Sequence, residues 1–274
     1  MIVSQYVIAF FLFSFIGWIY ECIYCMIIDK HWDNRGFLFG PICPIYGSSV
    51  VLAMIVFGKS NILKSGYETP VWLVFIICAL MSAVIEYSTS YVLERMFHAI
   101  WWDYSMVPLN LNGRICLPAT LGFGIVGVLV VRYLLPFVAS IPMDDHPLAN
   151  EVLALVFMLI LGIDLAATVA SLTDMLDRIA AMQANFDRKL QNGYKIASSA
   201  PAALATAANN AVNAGKEITG TISGYVSNIS HRDRHHLRSI RVFKSERNKS
   251  MAERIKKALS DLRNGKQEIN EKAS

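Results

Sequence analysis

Apolar residues fall in five long blocks, at about 2–28, 41–57, 70–93, 115–139 and 148–173, with short polar stretches between them. A bilayer crossing needs roughly 20 largely apolar residues. The pattern therefore predicts an all-α membrane protein with five transmembrane helices. The second block is short and carries Pro44 and Gly47, and the fourth is interrupted by Pro118, Gly122, Gly124 and Gly127. Such residues let helices approach closely, or let backbone unwind where it lines a cavity. Past residue 173 the blocks stop but a helical period continues. Leu172, Leu176, Ile179, Met182, Phe186 and Leu190 form one stripe, which predicts an amphipathic extension over 174–196. Residues 197–230, rich in Ala, Ser, Asn, Gly and Thr, read as a linker or weak helix. The last stretch, 231–274, is a helical basic tail. It carries Met251, Ile255, Leu259 and Leu262 on one face among Arg254, Lys256, Lys257 and Arg263.

Charge sharpens this division. The chain is 54% hydrophobic and only 17% charged, which excludes an ordinary soluble domain of this length. Residues 1–173 hold 7 Lys/Arg against 11 Asp/Glu, while residues 174–274 hold 18 against 10. Lys30, Arg35, Arg95, Arg114 and the basic tail lie on one side of the predicted spans, and Lys59 and Lys64 on the other. By the positive-inside rule the tail is cytoplasmic and the N-terminus faces outward. The first block lacks a basic leader and a small-residue cleavage site, so it is expected to stay as a span. Five cysteines, Cys22, Cys25, Cys43, Cys78 and Cys116, lie in or beside the apolar blocks and are expected to be buried free thiols. Neither a metal nor another cofactor is expected, because Cys22-x-x-Cys25 has no second ligand pair. His231, His235 and His236 sit among arginines and read as surface residues.

Three acids break the apolar blocks: Glu21, Glu86 and Asp164. A carboxylate inside a membrane helix costs about 2.5–3.5 kcal/mol on insertion scales, so each marks a candidate site. Glu21 is followed by Trp32-Asp33, Asn34, Arg35, Cys43 and Pro44. Glu86 is followed by Trp102-Asp103, Asn112, Arg114, Cys116 and Pro118. The shared order predicts two parallel two-helix repeats plus a fifth helix, with Glu21 to Pro44 spanning 23 residues and Glu86 to Pro118 spanning 32. With the orientation above, the three acids lie at similar depth in the inner half of the bilayer, as one polar layer. The alternative is three separate acids, each hydrogen-bonded to a neighbouring helix. Arg35 and Arg114 could pair with Glu21 or Glu86, receive an anionic substrate or headgroup, or serve as positive-inside anchors. Trp32, Trp101 and Trp102 have a plain reading as interfacial residues, and Asn34-Arg35-Gly36 and Asn112-Gly113-Arg114 as turns.

The runs Phe13-Ser14-Phe15-Ile16-Gly17-Trp18 with Glu21, Asn34-Arg35-Gly36-Phe37-Leu38-Phe39-Gly40-Pro41, and Pro44-Ile45-Tyr46-Gly47 resemble the family of putative ABC-transporter type IV permeases. Glu86-Tyr87, Trp101-Trp102-Asp103-Tyr104-Ser105 and Asn110-Leu111-Asn112-Gly113-Arg114 match its second half. The resemblance covers about residues 5–180. It implies a multi-pass permease of the bacterial inner membrane that relies on a separate ATPase subunit. The chain itself carries no motor: Gly58-Lys59-Ser60 follows an apolar helix, not a glycine-rich turn.

The leading expectation is thus a transport protein in the lipid bilayer. Glu21, Glu86 and Asp164 would line a polar site, with Asp33, Asn34, Arg35, Asp103, Asn112 and Arg114 around it. An embedded enzyme acting on a lipid or polyprenyl substrate, with Asp33 and Asp103 as candidate residues, is the alternative. A scaffold that recruits partners through its tail is the third reading. The tail suits anionic inner-leaflet lipid, nucleic acid is not expected without a binding motif, and five spans suggest a homodimer.

Overall fold

The computed structural model describes residues 2–29, 34, 36–58, 68–140, 146–199 and 204–273. Trp32, Asp33 and Arg35 lie outside the described residues. The chain forms two compact units, Met1–Val169 and Ala170–Ser274.

Helices in the first unit are α1 (Ile2–Asp29), α2 (Pro44–Phe57), α3 (Val71–Phe97), α4 (Leu117–Leu129), α5 (Leu135–Ser140) and the start of α6 (Pro147–Ser199). Four stretches are long and apolar enough to cross a membrane: Val3–Ile27, Val71–Phe97, Leu117–Val138 and Pro147–Asn192. The apolar helix α2 has only 14 residues. At 1.5 Å per residue it is about 21 Å long, short of a roughly 30 Å hydrocarbon core. The fold is therefore helical and membrane-like, with four long apolar helices and one short one.

Proline and glycine shape the helical hairpins α1–α2 and α3–α4. Pro44 and Pro118 stand in the first turns of α2 and α4, where a missing N–H costs nothing. The preceding caps, Cys43 and Cys116, both have extended backbone. A Cβ on Gly47 would lie 2.3 Å from the Phe10 carbonyl oxygen, and one on Gly127 would lie 2.4 Å from Cys78 Cβ. Only glycine lets the helix backbones come this close. Between α4 and α5 the helix widens into a π turn over Val130–Leu134, with Leu135 N–H bonded to the Val130 carbonyl. Pro136 explains it, since its ring disfavours the regular four-residue register just ahead of it. Ala53, Phe57, Val74, Cys78 and Val131 pack where α2 meets α3 and the π turn. Ala9, Phe13, Val50 and Val138 pack on the α1 side.

The second unit holds the rest of α6 with α7 (Leu204–Ser227), α8 (His231–Ser239) and α9 (Glu246–Ala273). Helix α6 continues unbroken past residue 173, and Leu172, Met175, Leu176 and Ile179 on its stripe are buried. The segment read as linker or weak helix contains α7, whose Ala214, Ile222 and Val226 share one buried face. Met251 and Ile255 of α9 are buried too, so this apolar face is used within the folded protein. Asp233, itself buried, ties three helices together. It accepts two 2.8 Å bonds from Arg178 of α6 and one of 3.1 Å from the Tyr225 hydroxyl of α7. One expectation is corrected here. His235 and His236 are buried rather than on the surface, because the α8 face that carries them with Leu237 and Ser239 turns inward while the arginines face out. Burial, then the neighbouring His235, lowers the His236 pKa to about 4.

Candidate functional site

An apolar helix that carries a carboxylate must give it a donor, and each of the three acids finds a different one. Tyr46, in the first turn of α2, donates its hydroxyl to Glu21 Oε1 at 2.5 Å, its ring lying over Gly17 of α1. Tyr104, in the loop after α3, donates to Glu86 Oε1 at 3.0 Å. Glu86 is only 5% exposed, and its Oε2 has no hydrogen-bond partner among the described residues. Asp164 of α6 accepts instead from backbone: Phe39 N–H on Oδ1 at 3.1 Å and Gly40 N–H on Oδ2 at 2.9 Å. The Thr168 hydroxyl adds a longer bond at 3.3 Å.

Asp164's partners explain the segment ahead of α2. Residues 36–43 are not helical, yet Cys43 N–H bonds the carbonyl of Ser14, midway along the span-length stretch Val3–Ile27. Backbone that is unwound at such depth needs protein partners, since lipid offers none. Asp164 supplies them for Phe39 and Gly40. Asn34 supplies more: its carboxamide oxygen accepts from Trp18 Nε1 and Gly36 N–H, and its Nδ2 donates to the Phe39 carbonyl. Leu38 and Ile42 close the segment against Phe11, Phe157 and Leu161.

The loop between α3 and α4 contains a hairpin of its own. Asn110–Leu111 and Ile115–Cys116 pair as a short antiparallel hairpin. Its tight turn has Asn112 and Gly113 at φ 55° and 69°, the left-handed region that Asn and Gly tolerate best. Asp103 caps a neighbouring turn through Ser105 N–H at 2.9 Å, and Tyr104 N–H bonds the Gly113 carbonyl. Asn112 donates to the Tyr87 hydroxyl. Antiparallel packing of Gly124 and Gly127 on Phe75, Cys78 and Ala79 brings the start of α4 about level with Glu86.

Of the sequence candidates, Glu86 interacts electrostatically, though weakly, with Glu21. Tyr104 senses both. Burial first, then the charge of Glu86 and more weakly that of Glu21, hold its phenol well above the ordinary value. Arg114 does not pair with Glu86. It bonds Glu94 at 2.6 Å and lies over the rings of Tyr87 and Tyr91. The reason is helical phase: Tyr87, Tyr91 and Glu94 share one stripe of α3, whereas Glu86 and the buried Ser90 lie on the next. Asp103, Asn34 and Asn112 organise turns, and Asp33 and Arg35 lie outside the described residues. The two tyrosines were not among the sequence candidates. The available signal was a hydroxyl set in an apolar segment, which needs a partner when buried. No group of three or more His, Cys, Asp or Glu among the described residues is arranged to hold a metal ion.

No curated protein and no solved structure matches this chain significantly. A family model does match, over residues 8–169, a stretch that contains both glutamate–tyrosine pairs, Asp164 and the starts of the span-length stretches at Val71, Leu117 and Pro147. On that match the chain belongs to the family described as putative ABC-transporter type IV.

Proposed function

We propose that this protein is a membrane transport permease whose ATPase is a separate chain. The observation that carries the reading is the pair of carboxylates, Glu21 and Glu86, each held by a tyrosine hydroxyl on a span-length apolar helix and within electrostatic reach of each other. Buried ionisable groups in membrane helices are expensive and mark pathways more often than scaffolds. The functional layer is built from these two pairs, with Asp164 holding the segment before α2 in position. In this reading α2 and its unwound lead-in together make the second of five crossings, so the units α1–α2 and α3–α4 are parallel repeats. Their matching cysteine caps, early prolines and close glycine contacts support that relation. Discontinuous spans at corresponding places in two repeats are a recurrent way to build a site at membrane depth. The N-terminus lies outside and the basic tail in the cytoplasm, by the Lys/Arg distribution.

The test is co-purification of the full-length protein from its native membrane in mild detergent. An ATPase subunit should accompany it, and ATP hydrolysis by that complex should change in Glu86→Gln. Isolation without any ATPase, even after cross-linking in the membrane, removes the ABC permease reading.

A further inference from the structure

The Glu21–Glu86 layer has the chemistry of a site for positive charge. The two carboxylates interact electrostatically, and the described groups that act on Glu86 are Tyr104 and Glu21, neutral and acidic. Cys116 lies close to the Tyr104 hydroxyl, and Glu21 comes from α1. Around Glu21 are Tyr46, Tyr20 and Cys43, with Cys22 beside Cys43. Among the described residues, Arg114 is committed to Glu94. Glu86 is 5% exposed and its Oε2 lacks a hydrogen-bond partner among the described residues. Tyr104 already supplies Oε1, so the second oxygen is the acceptor left for a guest. A buried carboxylate with no countercharge is costly by far more than a hydrogen bond returns. An anionic guest would add to that cost and a cation would relieve it. The donor set also limits the cation. Calcium and magnesium want about six oxygen ligands in a shell, whereas the tyrosine hydroxyls already occupy Oε1 of each carboxylate, and among the described residues no group of three or more His, Cys, Asp or Glu is arranged to hold a metal ion.

We propose that Glu86, with Glu21 beside it, is a monovalent-cation site that takes a proton or a sodium ion. This rests on the reading of the same layer as the working site of a permease, and it names what binds there. The cation neutralises the pair, and its release restores the negative layer. Tyr104 and Tyr46 keep one oxygen of each carboxylate fixed while the other exchanges its guest.

Thermal unfolding of the purified full-length protein in detergent tests this, with Glu86→Gln as the matched variant. Glutamine keeps the acceptor that Tyr104 uses, so the fold should persist. A ligand that binds the folded state at a hundredfold excess over its Kd raises the Tm of a protein this size by about 5–10 °C. If sodium is the guest, replacing choline chloride by sodium chloride raises the wild-type Tm and leaves Glu86→Gln unchanged. If a proton is the guest, the Tm difference between wild type and variant changes with pH, with no sodium effect. A wild type and variant that respond alike to both sodium and pH overturn the proposal. Ion linkage without an associated ATPase would keep the site and discard the permease. An ATPase-coupled complex without ion linkage would do the reverse.

Discussion

The hairpins α1–α2 and α3–α4 solve one problem by two routes. In each, a proline-headed helix starts beside the middle of its partner, so the chain leading into it must run unwound along an apolar helix. The longer α3–α4 loop has room for a β-hairpin turn and pairs part of its backbone internally. The shorter α1–α2 loop is held by its own Asn34 and, from α6, by Asp164. The acid on the helix outside the two hairpins thus has a reason to exist: it accepts the Phe39 and Gly40 amides of the shorter loop. The glutamates differ too. Glu21's tyrosine comes from the following helix, whereas Glu86's comes from the loop. Similar local chemistry is therefore compatible with different donors, provided some hydroxyl reaches the carboxylate.

The strongest way to break this comparison is Asp164→Ala. It strips the Phe39 and Gly40 amides of their acceptor, at a cost of about 2–5 kcal/mol, readable as a large drop in Tm in detergent. Asp164→Asn, which keeps one acceptor oxygen, should cost less. A wild-type Tm for Asp164→Ala would mean that the first loop holds itself after all.

Acid sensitivity should arise in the second unit. His236 has its pKa lowered to about 4 against an unfolded value of 6.5. The unfolded chain therefore binds the proton first. The stability contribution is complete above pH 6.5 and is lost as pH falls toward 4, by on the order of 3 kcal/mol. In His236→Gln the Tm profile between those values should flatten. A profile unchanged by that substitution would move the acid-sensitive group elsewhere and complicate any pH effect assigned to the hairpins.

Tyr46→Phe and Tyr104→Phe compare the two carboxylates directly. Each removes a hydrogen bond to an ionisable group and should cost about 1.5–3 kcal/mol. Similar losses in thermal unfolding support equivalent roles. A loss confined to one variant would show that the two pairs are not counterparts. The smallest change is expected from Asp103→Ala. Its carboxylate serves one amide in an exposed turn, so about 0.5–1.5 kcal/mol is at stake. A penalty matching that of Asp164→Ala would erase the distinction between a loop with its own hairpin and one that leans on α6.

Helix content, the long apolar spans and the presence of costly acids were all legible along the chain, because hydropathy and helical period are local properties. So was the turn at Asn112-Gly113, whose residues tolerate a left-handed backbone without help from elsewhere. The partners of the acids were not legible. Arg114 looked placed for Glu86, but a rotation of one residue around α3 gave it to Glu94. Asp164 looked like a third member of one carboxylate layer, yet two amides 124 and 125 residues away take both its oxygens. The tail histidines looked solvent-facing by composition, and the inward face of α8 buried two of them.

The sequence by itself therefore determined the class of protein, the approximate spans and which side chains would be expensive to bury. Those follow from transfer free energies that each residue carries wherever it sits. Tertiary structure alone decided which donor satisfies which carboxylate, because that depends on helical phase and on close glycine contacts between segments far apart in the chain. It left Glu86 with one oxygen unpaired among the described residues, and the proposed cation site rests on that oxygen.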